Sequence, residues 1–515
     1  MKKVTAYSLP KSPANMGAVR WKAAGTGLLI CVGTAWGVTQ YVASQFHYQD
    51  ALGASWLGIG AYRIYQPFRF MQWMWTWYFQ GAPAIRIIFE NAMILFSMGL
   101  LASFLTVIVL LYHYSRSFDS NSDNLHGSAH WADGDEVANT GLLDNQSGVY
   151  VGGWEPVSSQ ILHYLRHDGP EHVLAFAPTR SGKGVGIVIP TLLSWPHSVL
   201  VYDIKGENWA LTSGWRKSVA KNWVVKFEPS NPIGSAQFNP LNEIRLRTPH
   251  EIADIQNIAT MIVDPDGKGL LDHWQKTGLA LLVGVILHVL YMEKDKTLKG
   301  VSSFLSNPNC SIEETLHQML NAIHDPEGQR GWKDREGRPT LVHPVIAESA
   351  REMLNKADQE RSGVLSTAMS FLSLYRDPIV AQNTSSSDFT INDIVNGNRP
   401  LSLYLVVPAS DKDRLKPLIR LLINQIVRKL VEKMEYEGGR AVSPHLYRLL
   451  LLIDEFPSLG KLDIFEESLA YIASYGLKAL LIIQDISQLQ KAYGRDESIV
   501  GNCHIRVIGD KYAVI

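Results

Sequence analysis

The fold is decided by His172-Val-Leu-Ala-Phe-Ala177, followed directly by Pro178-Thr-Arg-Ser-Gly-Lys-Gly184. The first stretch is short and apolar, which predicts a buried β-strand. The second contains small residues and closes on Gly-Lys, and Val185-Gly-Ile-Val-Ile189 then begins a predicted helix. Phosphate-binding loops occur in this strand–loop–helix order, because the loop N–H groups and the helix N-terminus face the same point. A chance Gly-Lys turn, the alternative, fits these flanking elements less well.

The loop meets the general pattern G-x-x-x-x-G-K-[ST] in part. Ala177 replaces the first glycine and Gly184 replaces the terminal Ser or Thr, whereas Gly182-Lys183 is intact. We expect the backbone N–H groups to bind a triphosphate and Lys183 to reach its β and γ phosphates. The hydroxyl that normally ligates Mg²⁺ is missing, so Ser181, Thr179 or water must replace it. The predicted nucleotide-binding residues are Thr179, Arg180, Ser181, Gly182, Lys183, Gly184 and Val185.

Two later apolar runs end in polar side chains. Five aliphatic residues precede Asp454 and Glu455, and the run 479–483 precedes Gln484. Carboxyl ends of parallel strands deliver such side chains to one edge of a sheet. We expect Asp454 to hold Mg²⁺ directly or through water, and Glu455 to orient or deprotonate the attacking water. Gln484 is predicted to sense the γ-phosphate or to position water; the alternative is an amide that caps the next turn.

A third polar strand end has two interpretations. Ser198-Val-Leu-Val-Tyr-Asp203 is a predicted buried strand, and Lys205 follows it. Asp203 and Lys205 either face the nucleotide or form a capped strand end with a solvated lysine. No arginine lies between residues 456 and 483, so this stretch supplies no arginine finger, and Lys478 is a weak substitute.

The phosphate loop and the acidic strand are separated by a large insertion. From Lys183 to Asp454 is 271 residues, more than a P-loop core needs. Helical periodicity predicts helices over 251–262, 274–291, 312–323, 343–356 and 363–374, with β character at 401–407 and a helix over 415–434. The fold class is therefore α/β. We expect a nucleotide-binding domain with a parallel sheet at 125–247 and 376–515, and an all-α insertion domain at 248–375.

The N-terminal part is predicted to span a membrane twice. Residues 23–49 and 91–115 contain no Asp, Glu, Lys or Arg, and about 20 apolar residues suffice to cross a bilayer. We expect a membrane anchor at 23–115, with transmembrane helices at about 23–45 and 91–114 and a periplasmic loop between them. Two buried helices of a soluble domain, or a cleaved signal peptide for the first run, are the alternatives. The loop is rich in aromatic residues, which is typical of an interfacial belt; a partner-binding loop is the second interpretation.

Basic residues set the orientation of this anchor. More of them precede the first run than lie between the two runs, which places the N-terminus, residues 1–22, in the cytoplasm. The preceding residues are Lys2, Lys3, Lys11, Arg20 and Lys22, and the intervening ones are Arg63, Arg69 and Arg86.

The composition gives a misleading average. The 515 residues carry a formal net charge of −1, which taken alone argues against a strongly basic nucleic-acid binder. That sum combines +6 over residues 1–120 with −7 over the rest. Three cysteines, at 31, 310 and 503, are too few and too scattered for a disulfide framework or a cysteine zinc site.

Several of these motifs together resemble the TraG/TraD-type coupling proteins of type IV secretion and conjugation. The matching segments are 177–184, 203–207 (Asp-Ile-Lys-Gly-Glu), 451–457 (Leu-Leu-Ile-Asp-Glu-Phe-Pro) and 484–489 (Gln-Asp-Ile-Ser-Gln-Leu). Their order along the chain matches as well. Chains of that family continue beyond residues 504–508, whereas this one stops at Ile515, so the resemblance predicts a sheet without its last strand.

The resemblance implies an ATPase of the bacterial inner membrane with a RecA-like core that uses ATP and Mg²⁺. It implies a homo-hexamer with nucleotide between subunits, so that a finger residue comes from a neighbour. The implied partners are a relaxase or relaxosome with single-stranded DNA, inner-membrane type IV secretion components and the lipid bilayer. Lys183, Glu455 and Gln484 would be catalytic. A receptor that does not hydrolyse ATP, or that exports proteins only, is the alternative.

Overall fold

The computed structural model describes residues 16–60, 62–79, 81–119, 132–143, 145–156, 161–178 and 180–509. The chain divides into two compact units, Met1–Trp131 and Ala132–Ile515. In the first unit the elements are α1 (Met16–Gln45), β1 (Leu57–Ile59), β2 (Tyr62–Ile64), α2 (Arg69–Trp77) and α3 (Pro83–Asp119).

Helices α1 and α3 of the first unit are long and apolar enough to cross a membrane. Their apolar spans are Ala23–Gln45 and Pro83–Leu110, with mean hydropathies of 1.2 and 2.5. A third helix of this kind lies in the second unit, where 61% of its span is buried in protein. Helix α3 begins at Pro83, not near residue 91 as expected. Proline suits a first helical position, and a helix continues through charged residues that a charge-free window excludes.

Close packing of α1 on α3 depends on glycine. A Cβ on Gly99 would lie 2.0 Å from Thr34, and one on Gly27 would lie 2.5 Å from Val107. Ser103 also donates a hydrogen bond of 2.8 Å to the Gly27 carbonyl oxygen. Small residues therefore let the two helix backbones approach, as is common in membrane helix pairs.

The aromatic segment between these helices folds onto their ends. Trp73 is buried on α2, and its indole N–H donates to the Leu52 carbonyl oxygen at 3.0 Å. Tyr65 contacts Trp73 edge to face, with ring centroids 5.0 Å apart. Trp75, on the other side of α2, is 84% exposed. The helix is amphipathic, which suits a position at a membrane surface.

The second unit is built on a parallel sheet of seven strands. Two antiparallel pairs accompany it, β3 (Val149–Trp154) with β4 (His163–His167) and β9 (Glu435–Glu437) with β10 (Arg440–Val442). The strands of the sheet are β5 (Val173–Phe176), β6 (Ser198–Asp203), β7 (Trp223–Phe227), β8 (Leu401–Val406), β11 (Leu449–Ile453), β12 (Leu477–Ile483) and β13 (Ile505–Ile508). Their order is β13-β5-β12-β11-β6-β8-β7. The predicted α/β class with a parallel sheet is confirmed.

Helices surround this sheet and fill the long insertion. They are α4 (Gly134–Asn139), α5 (Ile189–Ser194), α6 (Glu207–Ser218), α7 (Glu251–Val263), α8 (His273–Met292), α9 (Leu298–Leu305), α10 (Ile312–Asn321), α11 (Pro344–Leu354), α12 (Asp358–Phe371), α13 (Pro378–Asn383), α14 (Ile391–Asn396), α15 (Lys412–Leu430), α16 (Asp463–Ser468), α17 (Ile486–Tyr493) and α18 (Ile499–Asn502). All the predicted helices of the insertion are present. Within 248–375, α9 was not predicted, because eight residues are too few for a clear helical period.

Two apolar cores lie on the two faces of the sheet. The smaller one packs Ile187, Leu192 and Trp195 against the strands. The larger one continues from the sheet through α7, α8 and α15 into the remaining helices of the insertion. The inserted helices therefore share one core with the strands that carry the predicted site. The prediction about a missing last strand concerns residues after Gly509, outside the described part of the chain.

Candidate nucleotide-binding site

The sheet brings the predicted site residues to one edge. Strand β12 pairs in parallel with both β5 and β11, so their carboxyl ends lie side by side. The phosphate loop follows β5, Asp454 and Glu455 follow β11, and Gln484 follows β12. Parallel strands bind ligands at this edge.

The loop has the tight backbone that the motif requires. Arg180 and Gly182 adopt the left-handed conformation, with φ of 67° and 79°. The N–H of Ser181 donates to the Pro178 carbonyl oxygen at 3.2 Å, which closes a turn. Glycine takes this conformation freely, whereas an arginine is strained there by about 1–2 kcal/mol. Thr179, also predicted to bind nucleotide, lies outside the described residues.

The helix after the loop begins with a widened turn. Residues Gly184–Val188 form a π-helical turn that leads into α5. Pro190 lies in the first turn of α5, has no N–H and would clash with a carbonyl one turn earlier in a regular helix. The wider turn absorbs this conflict, so the helix continues past Pro190. Val185 lies on this turn and is 77% exposed.

Lys183 contacts the acidic strand end. Its Nζ lies 3.3 Å from Asp454 Oδ1 and 3.5 Å from the Asp454 carbonyl oxygen. Both side chains are partly buried, 19% and 30% exposed. The contacts are long for a charge-assisted hydrogen bond, whose usual length is about 2.7–2.9 Å. The lysine ammonium is therefore close to the carboxylate but can still donate hydrogen bonds to another group.

Glu455 and Gln484 form the second contact of the site. The Gln484 side-chain amide donates to Glu455 Oε1 at 3.2 Å. Because the two residues follow neighbouring strands, the distance between them is set by the sheet. The acidic strand end and the glutamine strand end thus lie together at one edge of the sheet, as the sequence predicts.

Two buried oxygens of this region make no hydrogen bond. Among the described residues, Ser181 Oγ has no hydrogen-bond partner, and Asp454 Oδ1 has only its 3.3 Å ion contact with Lys183. Buried polar groups are normally paired, and exceptions often mark a ligand or ion position. These two oxygens are of the type that Mg²⁺ and its water ligands prefer. The donor set therefore fits a magnesium–phosphate group.

Position 184 has room for the Ser or Thr side chain that the general motif carries there. A Cβ built there meets no atom within 4 Å, so packing does not require glycine. No group of three or more His, Cys, Asp or Glu side chains with metal-binding spacing occurs in the described part of the chain. A magnesium ion here would accordingly depend on phosphate oxygens, water and few protein ligands.

Asp203 acts as a helix cap. It is 2% exposed, and its two carboxylate oxygens accept from the N–H groups of Gly206 (2.9 Å) and Trp209 (2.8 Å) at the start of α6. Burial raises the pKa of Asp203, and these backbone hydrogen bonds oppose the rise. Lys205 is exposed. Of the two interpretations from sequence, the structure favours the capped strand end.

Lys478 lies at the wrong edge to act as a finger. It is 1% exposed near the start of β12, at the amino end of the strands. Its Nζ hydrogen-bonds His167 Nδ1 at 2.7 Å and donates to the carbonyl oxygens of His167 and Gly169 at 2.8 Å each. The suggestion that it substitutes for an arginine finger is wrong, because its ammonium is buried and bound at the amino edge of the strands, away from the carboxyl edge.

The fold and this edge define a class of protein, the P-loop nucleotide-binding proteins with a RecA-like core. The model of the family described as type IV secretory system conjugative DNA transfer matches residues 121–509. The chain therefore belongs to this family of coupling proteins.

Similar proteins share much of the chain. It is 47% identical over 490 residues to the conjugal transfer protein TraG of Escherichia coli, covering 91% of this chain and 73% of that one. It is 29% identical over 392 residues to the protein VirD4 of Agrobacterium fabrum, covering 75% and 54%. The plasmid coupling protein TrwB in complex with the non-hydrolysable ATP analogue ADPNP has a similar fold, with a TM-score of 0.51, 17% identity and coverage of 73% and 77%.

Proposed function

We propose that this protein hydrolyses ATP at the carboxyl edge of its sheet and uses the energy to drive a relaxase-bound single strand of DNA into a type IV secretion channel. One observation carries the proposal. Lys183 approaches Asp454 while Glu455 approaches Gln484, so a phosphate binder, an acid pair and an amide share one edge. Membership of the conjugative DNA transfer family supports the cargo.

In the proposed reaction the loop binds the triphosphate of ATP. Backbone N–H groups of residues 180–185 surround the phosphates, and Lys183 turns from Asp454 to the β and γ phosphates. Because the contacts of Lys183 are long, breaking them costs little free energy. Mg²⁺, when bound, neutralises phosphate charge, and Asp454, directly or through water, and Ser181 would hold it in place of the hydroxyl that Gly184 lacks.

Glu455 is the proposed base. A water molecule attacks the γ-phosphorus, its proton passes to the Glu455 carboxylate, and ADP leaves. Gln484 donates to Glu455 and fixes the position of its carboxylate relative to the phosphate. Because β11 and β12 are adjacent, a shift at one residue is transmitted to the other strand end.

The proposed location is the bacterial inner membrane, with the nucleotide site in the cytoplasm. The apolar spans of α1 and α3 support two crossings, and the basic residues before the first span support a cytoplasmic N-terminus. In the same proposal residues 23–115 form the anchor, 125–247 with 376–515 form the nucleotide-binding domain, and 248–375 form the insertion domain.

We also propose assembly as a homo-hexamer, with secretion components and the relaxosome as partners. The stretch from residue 456 to 483 contains no arginine, and Lys478 is buried away from the site. A neighbouring subunit that contributes a cation would complete the site. Such a contribution in trans is well known among P-loop enzymes.

A receptor that recruits cargo without hydrolysis is the second candidate. Gly184 favours it, because the usual magnesium hydroxyl is absent. Such a protein would bind substrate proteins and nucleotide but release no phosphate.

Replacing Glu455 by Gln separates these two functions. We expect phosphate release by the full chain in detergent, and conjugative transfer in cells, to fall by about 10²–10³-fold, because the base is removed while the shape is kept. Glu467→Gln, on the exposed side of α16, is the matched control and should retain both activities. Unchanged transfer with Glu455→Gln would reject hydrolysis as the driving step and support the receptor.

A further inference from the structure

A cavity of about 800 Å³ lies beside Glu455 and Gln484. Its walls come from five segments: 266–269, the start of α15, 455–463, the end of β12 with Gln484, and residues 488–492 of α17. We call it the lysine cleft, after the five lysines that line it: Lys268, Lys412, Lys416, Lys461 and Lys491.

The cleft carries an excess of positive charge. Three carboxylates line it with the five lysines: Asp266, Glu455 and Asp463. Lys268 and Lys416 share Asp266, each at 3.2 Å, and Lys461 binds Asp463 and Glu466. Lys412 and Lys491 make no ion pair with any residue that the structure describes. These two cations are available to an external anion.

A buried arginine lies beneath the floor of the cleft. Arg420 is 1% exposed, and its Nε has no hydrogen-bond partner among the described residues. The floor above it is glycine: a Cβ on Gly267 would lie 2.7 Å from Arg420 Nη2, and one on Gly460 would lie 3.4 Å from Nη1. No carboxylate of the described segments pairs with this guanidinium. Its charge adds to the positive potential of the cleft and is offset in part by the nearby carboxylates of Asp264, Asp266 and Asp463.

Two of the cleft lysines and the buried arginine lie in a row on helix α15. Lys412, Lys416 and Arg420 are four residues apart, which places them on one face of the helix. A row of cations with this spacing suits an extended anion with repeated charges better than a single small ion.

The lining also defines how such an anion would be recognised. No aromatic side chain lines the cleft, so it offers no platform on which bases could stack. Lysine contacts neutralise phosphates without reading sequence. We propose that the lysine cleft binds the sugar–phosphate backbone of single-stranded DNA, independently of base sequence; this inference rests on the proposed function for the identity of the cargo.

The cleft and the nucleotide site share residues, and a hydrogen bond connects the elements around them. Glu455 and Gln484 form part of its wall. Arg420 donates to the Leu459 carbonyl oxygen at 2.6 Å, which ties α15 to the turn that follows Glu455. DNA bound to α15 would thus contact the same segment that holds the proposed base, which gives a route from cargo binding to ATP turnover.

The test is DNA binding by a double variant, Lys412→Ala with Lys491→Ala. Neither lysine has a described ion-pair partner, so their removal leaves no carboxylate unpaired. The full chain in detergent is titrated against a fluorescent oligothymidylate of about 30 nucleotides, at several salt concentrations. We expect affinity to fall about tenfold or more, and the slope of log K against log salt to become shallower by roughly 0.7 per lysine removed. The control is Lys217→Ala with Lys294→Ala, two exposed lysines outside the cleft.

The outcomes are distinct from those for ATP hydrolysis. If the Lys412/Lys491 variant and the control variant both bind with the affinity and salt slope of the wild-type chain, the inference is overturned. The proposed ATPase is unaffected by that result. Failure of the wild-type chain to bind the oligonucleotide would overturn it as well. A chain that releases no phosphate but binds DNA through these lysines would support the cleft and reject the proposed hydrolysis. Thermal unfolding of each variant verifies that it is folded.

Discussion

The two edges of the central sheet each hold a lysine, and the two lysines differ in burial and in the lengths of their polar contacts. At the amino edge, Lys478 is buried and makes three short contacts of 2.7–2.8 Å. At the carboxyl edge, Lys183 makes only long contacts, of 3.3 and 3.5 Å, to Asp454. The lysine ammonium therefore has all its hydrogen bonds at the amino edge, whereas at the carboxyl edge it can still bind another group.

Other polar groups near the two edges differ in the same way in their hydrogen bonding. On the side of the amino edge, the guanidinium of Arg216 is fully buried and donates to Ser402, to the carbonyl oxygens of Leu192, Trp195 and His197, and to Asn222. At the carboxyl edge, Ser181 Oγ makes no hydrogen bond in the described part of the chain, and Asp454 Oδ1 has only its long contact of 3.3 Å with Lys183. Burial without a partner destabilises a fold, so open polar atoms indicate a place reserved for a ligand.

The largest effect is expected at the carboxyl edge. Lys183→Thr removes the charge that meets the β and γ phosphates, and ATP turnover of the full chain should fall by about 10²–10³-fold. Because this lysine is bound only loosely, thermal unfolding should change little. Lys205→Thr, an exposed lysine after β6, is the control and should retain turnover. Loss of stability rather than activity would assign Lys183 to the scaffold.

The amino edge should show the reverse pattern. Lys478→Met leaves the buried His167 carbonyl oxygen without its side-chain donor and the Gly169 carbonyl oxygen with Arg448 alone, which costs about 1–3 kcal/mol of unfolding free energy. Turnover per folded molecule should remain. Chemical denaturation measures the first quantity, and Lys217→Met provides an exposed control. A stable Lys478→Met chain that no longer releases phosphate would contradict the comparison.

Acid should weaken the amino edge. His172 donates to the Leu469 carbonyl oxygen and accepts from the Ala479 N–H, so the neutral ring fits and the protonated ring does not. Burial is the main cause that lowers the pKa of His172 to about 4. The unfolded chain takes up a proton below about pH 6.5 that the folded chain refuses, so stability falls from pH 6.5 to pH 4, by at most about 1.4 kcal/mol per pH unit.

Denaturation of the wild-type chain and of His172→Asn across this range measures that slope. Asparagine does not titrate, so its chain should lose less stability per pH unit although it starts from a lower value. Identical slopes would show that this histidine is not the source of the acid sensitivity.

The smallest effect is expected from restoring the missing hydroxyl. A Cβ at Gly184 meets no atom within 4 Å, so Gly184→Thr should fold and change unfolding free energy by less than about 1 kcal/mol. We expect half-saturation of ATP turnover at a Mg²⁺ concentration severalfold lower, with Gly214→Thr on α6 as the control. A higher Mg²⁺ requirement would show that the glycine itself shapes the metal position.

Sequence reasoning located the carboxyl edge because strand ends obey a simple rule. Asp454, Glu455 and Gln484 each follow an apolar run, and parallel strands place such residues together. The same rule, applied to Lys478, would have placed it at the opposite edge, since it precedes its run. The roles assigned to these residues stay predictions.

Other features could not be read from the sequence because they depend on packing between distant segments. The open oxygens of Ser181 and Asp454 become visible only when every neighbour is in place. The lysine cleft joins five separate segments, although the four-residue spacing of Lys412, Lys416 and Arg420 was a signal that could have been found.

The most direct test of the difference between the edges is a thermal shift with a non-hydrolysable ATP analogue and Mg²⁺. At about 100 times its Kd, the ligand should stabilise the wild-type chain by about 2.7 kcal/mol. We predict the same increase in Tm for Lys478→Met, from a lower starting value, and none for Lys183→Thr. An equal shift in Lys183→Thr, or no shift in the wild-type chain, would contradict the assignment of the carboxyl edge as the nucleotide site.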